Sequence, residues 1–509
     1  MVAGRARFYT APMNRLRRHP AAATAAFVVG FLLFRAGLFA FTTAGEYRLY
    51  RDYGEAARAT SLADLYRTRD VEYPQLAVAL CVLPAVFADA LPAWSTRLVR
   101  WRPNKLEPPY TDESPGERDA GDRYEVALGL VLVAVDVACL VLVYVVARRV
   151  YPAEDHVARL GRLAAYAVAV GALGLIVYDR LDLVVGLAAL LALWAIAAGR
   201  PVAGYALLAV GTAYKLVPVL LLPVWVLAAA AVRAAPGATP GRFVRAVARE
   251  AAVAAAVLAV WPVATYLCGG GERAFGFLTY HARRGLQLEA PVAWPVAVFG
   301  PSAAVAHGYG SYNLSGDPAD AVAAATRSLM PLAVLVGVAV SARGFWRVAA
   351  GPGTAGIPPA LGSGRLPPGG GGAGGTPAVP GYAAVVPHVV AASVLLWLGF
   401  IVANKVGSPQ YLLWVAALVP LLPRPPLRTR AARGWAVLLL VAMILTTAIY
   451  PCCYDPDILG PVTAYDPFTR RGPNALGLFL LAAKSVTLAG ATAWLAVAVW
   501  RTPAPEPTP

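Results

Sequence analysis

The chain has 509 residues, 59% of them hydrophobic and only 14% charged, whereas soluble domains are close to half apolar and a quarter charged. Its mean hydropathy of +0.59 comes from many apolar blocks of about 17–25 residues, the length that crosses a bilayer, so a soluble globular protein is excluded. The formal charge of +16, from 44 Lys+Arg against 28 Asp+Glu, reads in such a chain as a topology signal. No basic run carries interleaved aromatics, so nucleic acid is not an expected partner.

The N-terminus is basic (Arg5, Arg7, Arg15, Arg17, Arg18) and is followed by an apolar run over about 21–43. That run is too long for a signal-peptide core and lacks a clear cleavage site. It is expected to be an uncleaved first span with the N-terminus in the cytoplasm. Further apolar blocks follow at about 75–92, 124–147, 157–178, 182–198, 202–232, 247–268, 322–342, 382–403, 409–422, 433–450 and 474–499. The expected fold is therefore all-α, a polytopic membrane protein of roughly eleven to thirteen transmembrane helices.

Three segments are too polar or too rich in Gly and Pro to span: 93–123, 269–320 and 351–380. In the last, 18 of 30 residues are Gly or Pro, the composition of a linker that cannot bury a core. The domain reading is a basic cytoplasmic segment 1–20, an N-terminal bundle 21–342 with external loops 44–73 and 269–320, and a flexible linker 343–381. A C-terminal bundle 382–500 and a disordered tail 501–509 complete it.

Orientation follows from the basic loops. Segments 233–249 (Arg233, Arg242, Arg245, Arg249) and 424–433 (Arg424, Arg428, Arg430, Arg433) belong in the cytoplasm by the positive-inside rule. Loops 44–73, 269–320, 404–408 and 451–472 then lie outside. Simple counting places Arg148 and Arg149 outside as well. A second scheme makes 75–92, interrupted by Pro84, an incomplete or re-entrant span and breaks 202–232 near Lys215. That scheme is preferred because it also puts Arg180 and Asp182 on the outer side.

Ionisable residues are costly within a membrane and are its best functional candidates. The first external loop carries Glu46, Arg48, Tyr50, Arg51, Asp52, Tyr53 and Glu55, then Asp70, Glu72, Tyr73 and Pro74. This density of acids, Arg and Tyr suits a short interfacial helix that holds carboxylates at the membrane surface; the alternative is a solvated loop with Tyr in the aromatic belt. Tyr178-Asp179-Arg180-Leu181-Asp182 joins two apolar blocks, as a site or as a self-neutralising turn. Of only four lysines, Lys215 stands inside an apolar run and Lys405 in the polar hinge Asn404-Lys405-Val-Gly-Ser408-Pro409-Gln410-Tyr411. Each either snorkels or meets a lipid phosphate. Segment 269–320 adds Tyr280, His281, Arg283, Arg284, Gln287 and Glu289, either ordinary groups of an external cap or groups suited to a sugar and a phosphate.

Cys81, Cys139 and Cys268 are filler in or beside apolar blocks, and Cys452 and Cys453 are adjacent in a polar loop. No paired CxxC or HExxH occurs, so no metal site is expected.

Taken in order, the first-loop acid with Tyr and the downstream Glu72-Tyr73-Pro74, the Arg180-x-Asp182 turn, the Lys215-x-x-Pro218 span, Arg284-Gly-x-Gln287-x-Glu289 and Lys405-Val-x-Ser408-Pro409-Gln410-Tyr411 resemble glycosyltransferase family 87. These are GT-C-fold mannosyltransferases that use polyprenyl-phosphate mannose. The resemblance runs over about 28–420. It implies transfer of a sugar, as in the family a mannose, from a polyprenyl-phosphate carrier to an acceptor hydroxyl of a glycan, glycolipid or protein outside the cytoplasmic membrane, with inversion and no cofactor. The general base implied is the first-loop carboxylate at Glu46, where the family usually has Asp, with Asp52 as the rival. Arg180, Lys215, Arg284 and Lys405 are then expected on the donor phosphate. Glu72, Tyr73, Asp182, His281, Gln287, Glu289 and Gln410 are expected to orient them or to contact sugar or acceptor. The competing class is a transporter or flippase of lipid-linked saccharides, for which an internal repeat is expected; no duplicated pattern is evident.

Overall fold

A computed structural model describes residues 19–42, 46–100, 115–234, 237–300, 304–350, 380–423, 430–459, 462–463, 466–470 and 472–501. Residues 1–18 of the basic segment, 351–379 of the expected linker, 424–429 of the basic loop and 502–509 of the tail lie outside these residues; the linker expected over 343–381 is corrected at its ends, where 343–350 continue a helix and 380–381 begin the next. The chain folds as an all-α, multi-pass membrane protein. Among the described residues eight helices are long and apolar enough to cross a bilayer, and four apolar helices are shorter. The apolar blocks of the sequence therefore divide into full-length spans and incomplete ones.

In chain order the helices that matter here begin with the span α1 (Pro20–Phe41), then α2 (Tyr47–Ala59) and α3 (Leu62–Thr68) in the first loop, and α4 (Gln75–Ala90). After α5 (Pro115–Val150) and α6 (His156–Ala172) come α7 (Leu183–Ala197), α8 (Pro201–Tyr214), α9 (Leu222–Ala234) and α10 (Pro240–Cys268). The second polar segment contains α11 (Gly276–Arg283) and α12 (Trp294–Phe299), and the long α13 (Asp317–Ala350) closes the first half. The second half holds α14 (Pro380–Ala403), α15 (Leu412–Leu418), α16 (Arg430–Thr447) and α17 (Ala475–Arg501).

Two breaks matter for the site. α4 has 16 residues, about 24 Å at 1.5 Å per residue, short of the roughly 30 Å hydrocarbon core. The run 201–234 is interrupted as the second topology scheme expects: Lys215 is extended (φ −154°, ψ 129°), and Pro218, which has no N–H to donate, sits in a 3₁₀ turn Val217–Leu221 before α9. Between α7 and α8, Gly199 at φ 74° turns the chain and Pro201 opens the next helix, the asymmetry expected of helix ends.

The helices differ in what surrounds them. α15 is buried along its whole length, and Trp225, Trp397 and Trp414 fill the centre. By contrast α1, α10 and α13 expose Leu32, Leu33, Val260, Leu267, Leu332 and Leu335, as helices facing lipid tails do. α1 is nonetheless tied inward: Arg35 pairs with the buried Asp136 of α5 at 2.7 Å, and Asp136 also accepts the Tyr166 and Tyr178 hydroxyls, each at 2.7 Å.

The two ends of the bundle have different chemistry. At one end Arg149 donates to the Ala197 carbonyl at 3.0 Å and Arg162 to the Pro420 and Leu422 carbonyls. The opposite ends of α7 and α15 begin at Asp182 and Tyr411, where the polar motifs gather. There the loops also form a small sheet that no periodicity in the sequence announces. Strands β1 (Leu286–Gln287), β2 (Val305–Gly308), β3 (Ser311–Leu314), β4 (Val462–Thr463) and β5 (Asp466–Arg470) pair antiparallel in the order β1-β3-β2-β5-β4. The Val305↔Leu314 and Val305↔Arg470 registers join loops from the two halves of the chain.

α2 is laid on α4 without a gap. A Cβ on Gly54 would meet the Cys81 carbonyl oxygen at 2.3 Å, main chain that cannot rotate away. In Gly54→Ala the overpacking cost of about 1–3 kcal/mol exceeds the gain in helix propensity of at most about 1 kcal/mol. A lower melting temperature than wild type in detergent is expected.

Candidate functional site

The polar motifs converge on one cavity of about 960 Å³ at the end of the bundle opposite Arg149 and Arg162. Its first wall comes from the first loop. Glu46 occupies the N-cap position of α2, its side chain making no capping hydrogen bond, and Tyr47, Tyr50, Tyr53 and Gly54 form the buried face of that helix, the three-and-four spacing of an amphipathic stripe. Tyr50 lies four residues after Glu46, one turn along, and its hydroxyl donates to Glu46 Oε2 at 2.6 Å. Tyr73 donates to the same oxygen at 3.4 Å and packs edge-on against Tyr50 and Tyr53. Burial raises the pKa of both Tyr50 and Tyr73, so both hydroxyls keep their protons and act as donors to Glu46.

The same helical geometry settles the first-loop rivalry in space. Asp52 is two residues beyond Tyr50, about 200° around the helix, and its side chain is exposed. It does not line the cavity, whereas Glu46 does.

The second wall is the turn between α6 and α7. Arg180, buried, pairs with Glu46 Oε1, approaches Asp179 at 3.3 Å and donates to the Tyr450 hydroxyl at 3.1 Å. Asp179 accepts the Glu46 main-chain N–H at 3.3 Å. Two residues on, Asp182 accepts from Lys215 Nζ at 2.8 Å and from Trp414 Nε1 at 2.7 Å. Asp182 is therefore an orienting residue beneath the surface rather than part of the lining. The Lys215 ammonium is 5.8 Å from the ring centroids of Tyr73, Tyr411 and Trp414, within cation–π range.

The third wall comes from segment 269–320 and the 404–408 hinge. Lys405 Nζ donates to the Ala282 and Arg284 carbonyls at 2.9 and 2.5 Å. The Gln287 side chain accepts the Gly407 N–H at 3.0 Å, which docks the 404–408 hinge on β1. Gln287, Glu289 and Gln410 are buried and line the cavity; Glu72 and Arg284, half-buried, and His281, exposed, line it too. Tyr309 and Gly310 form the tip of the β2–β3 hairpin at positive φ (54° and 65°) and bring the Tyr309 ring to the opening. Tyr at such a φ is uncommon and strained.

Apart from Arg48, which donates to the Tyr47 hydroxyl, the cavity cations fall into two sets. Arg180 and Lys215 have carboxylate partners. Lys405, Arg284 and Arg327 form no ion pair among the described residues, and Arg284 Nε has no hydrogen-bond partner. The pKa of Lys405 is lowered by burial, then by Arg327 and Arg284, which marks three like charges gathered without an anion. Arg327, in the N-terminal part of α13, was not singled out in the sequence because it lies at the start of an apolar block. Tyr450 and Tyr454, which also line the cavity, were missed because they follow the last apolar residues of a span. Lys484, buried in α17, was missed because it stands alone in a long apolar run.

The other wall of the cavity is apolar: Leu216, Val217, Val219, Leu220, Leu278, Met330 and Phe400. The space is thus amphipathic, cationic and acidic at one part and hydrocarbon-like at another. Among the described residues no group of three His, Cys, Asp or Glu side chains is placed to hold a metal ion. Compared with known proteins, the chain matches no family model and no curated sequence.

His281 provides a pH test of the geometry. Although the residue is exposed overall, desolvation of its ring at the cavity wall, then Arg284 and Lys215, push its pKa down to about 4, below the unfolded value near 6.5. The unfolded chain therefore takes up a proton that the folded chain refuses, and stability falls as the pH drops from about 6.5 to about 4. In His281→Gln this fall in melting temperature is expected to be smaller than in wild type.

Proposed function

We propose that the protein is a membrane glycosyltransferase that moves a sugar from a polyprenyl-phosphate carrier to an acceptor hydroxyl at the external face of the cytoplasmic membrane. The observation that carries this reading is the cavity itself: a carboxylate, Glu46, shares one space with a patch of unpaired cations and an apolar wall on the lipid side. A polyprenyl phosphate needs all of these, cations for the phosphate and an apolar surface for the first isoprene units. The basic ends of α5 and α6 lie at the other end of the bundle, which supports an external cavity under the positive-inside rule. With Arg180 and Lys215 already neutralised, Arg284, Arg327 and Lys405 are the residues that meet the donor phosphate.

The reaction is a single displacement. The acceptor oxygen attacks the anomeric carbon as the bond from that carbon to the phosphate oxygen breaks, and the electron pair leaves with the phosphate. Glu46 takes the hydroxyl proton. The cation patch stabilises the charge that develops on the departing phosphate. Arg180, Tyr50 and Tyr73 fix the Glu46 carboxylate in place. Both Glu46 oxygens already have partners, so the incoming hydroxyl shares Oε2 with the two tyrosines.

Protein reconstituted in vesicles with radiolabelled polyprenyl-phosphate mannose and a membrane-lipid extract as acceptor tests the reading. Label should pass to a new product. Glu46→Gln should slow this by about 10²–10⁴-fold, the usual worth of a general base; because it also removes the charge that meets the buried Arg180, the melting temperature should fall while unfolding stays cooperative. Arg327→Ala should weaken donor binding by about tenfold, the loss of one charge-assisted hydrogen bond. Label that crosses the bilayer on an intact donor would instead identify a transporter, and full activity in Glu46→Gln would remove the base assigned here.

A further inference from the structure

The deepest part of the cavity contains a carboxylate that the reaction above does not use. Glu289 is 2% exposed, lines the cavity, and its Oε2 has no hydrogen-bond partner. A buried, unpartnered carboxylate oxygen is costly, and it persists where a ligand completes it. Its surroundings come from both halves of the chain. Tyr454 approaches the Glu289 carboxyl and Arg180 is near it. Tyr450 and Tyr454 stack edge to face at 4.9 Å, and Tyr312 joins them at 6.1 Å. An acid set among aromatic faces is the chemistry that holds sugar hydroxyls and C–H faces.

Lys484 explains why the acid stands where it does. It is 2% exposed, and apart from the terminal Arg501 it is the only ionisable residue of α17. An ammonium in an apolar helix needs a reason. Its Nζ donates to the Glu289 main-chain carbonyl at 2.8 Å and forms no ion pair with the carboxylate. The cation therefore fixes the peptide of Glu289 and adds favourable potential while leaving Oε2 unoccupied. A lysine serving only to neutralise Glu289 would bridge to the carboxylate oxygens.

Resting on the glycosyltransferase reading, we propose that Glu289 and Tyr454 form a hydroxyl-recognising subsite that distinguishes a sugar-bearing polyprenyl phosphate from the bare carrier, with Lys484 as its positioning residue. The C-terminal bundle then sets donor selectivity. It would let the enzyme release its own product, the sugar-free lipid phosphate, in favour of fresh donor.

The test is equilibrium binding to the purified full-length protein in detergent of three probes: polyprenyl-phosphate mannose, polyprenyl-phosphate glucose and the bare polyprenyl phosphate. Wild type should prefer at least one glycosylated lipid over the bare one. Glu289→Ala and Lys484→Met should each reduce that preference by about tenfold, the size of one or two hydrogen bonds to a charged group, with bare-lipid affinity held within about twofold. Tyr454→Phe serves as the milder variant that keeps the packing, and should reduce the preference in part. An undiminished preference in Glu289→Ala, or equal loss of all three probes in a variant that still melts cooperatively, overturns the subsite. Equal wild-type affinity for all three also overturns it while leaving the phosphate site standing. Binding of none to wild type overturns the functional reading and the subsite with it.

Discussion

An arginine withdrawn from water beside a membrane must be met by negative charge, and the way Arg180 is met organises the molecule. A buried cation without a partner costs several kcal/mol. Arg180 recovers this from Glu46, Asp179 and the Tyr450 hydroxyl, which come from the first loop, its own turn and the C-terminal half. Once that contact forms, the placement of other parts follows. Asp179 accepts the main chain of Glu46, Asp182 holds Lys215 and Trp414, and the broken helix at Lys215 and the Pro409–Tyr411 turn are brought against the same cavity. A buried pair of this kind adds little net stability compared with apolar packing. Its value lies in specifying one arrangement of segments distant in sequence.

The division of the cavity cations follows from the same accounting. Cations paired inside the protein have little field left for a ligand, whereas Lys405, Arg284 and Arg327 retain theirs. Lys405 donates to two carbonyls, which orient it without neutralising it. The paired set builds the cavity and the unpaired set is available to an anion.

Much of this was legible in the sequence because burying an ionisable residue is expensive, and so a charge interrupting an apolar run attracts notice. Glu46, Arg180, Lys215 and Lys405 stood out for that reason and meet in one space. Asp52 looked equivalent to Glu46 until the helix direction was known; the tyrosines at 47, 50 and 53 define the inward face and turn Asp52 away. Lys484 obeyed the same rule but was hidden by counting α17 as a plain span. The sheet was illegible because strands of two to five residues carry too few alternations to show a period, and β2 pairs with β5 from a loop more than 150 residues further on. Pairing at that separation is tertiary information.

The account stands or falls on where the donor phosphate sits. The most direct measurement is a cryo-electron microscopy structure of the protein in lipid nanodiscs with polyprenyl-phosphate mannose bound. The account predicts phosphate density contacting Arg284, Arg327 and Lys405, with the Glu46–Arg180 pair intact and the anomeric carbon facing Glu46. Phosphate density on Arg180 and Lys215 with Glu46 displaced, or lipid lying outside the cavity, would contradict it.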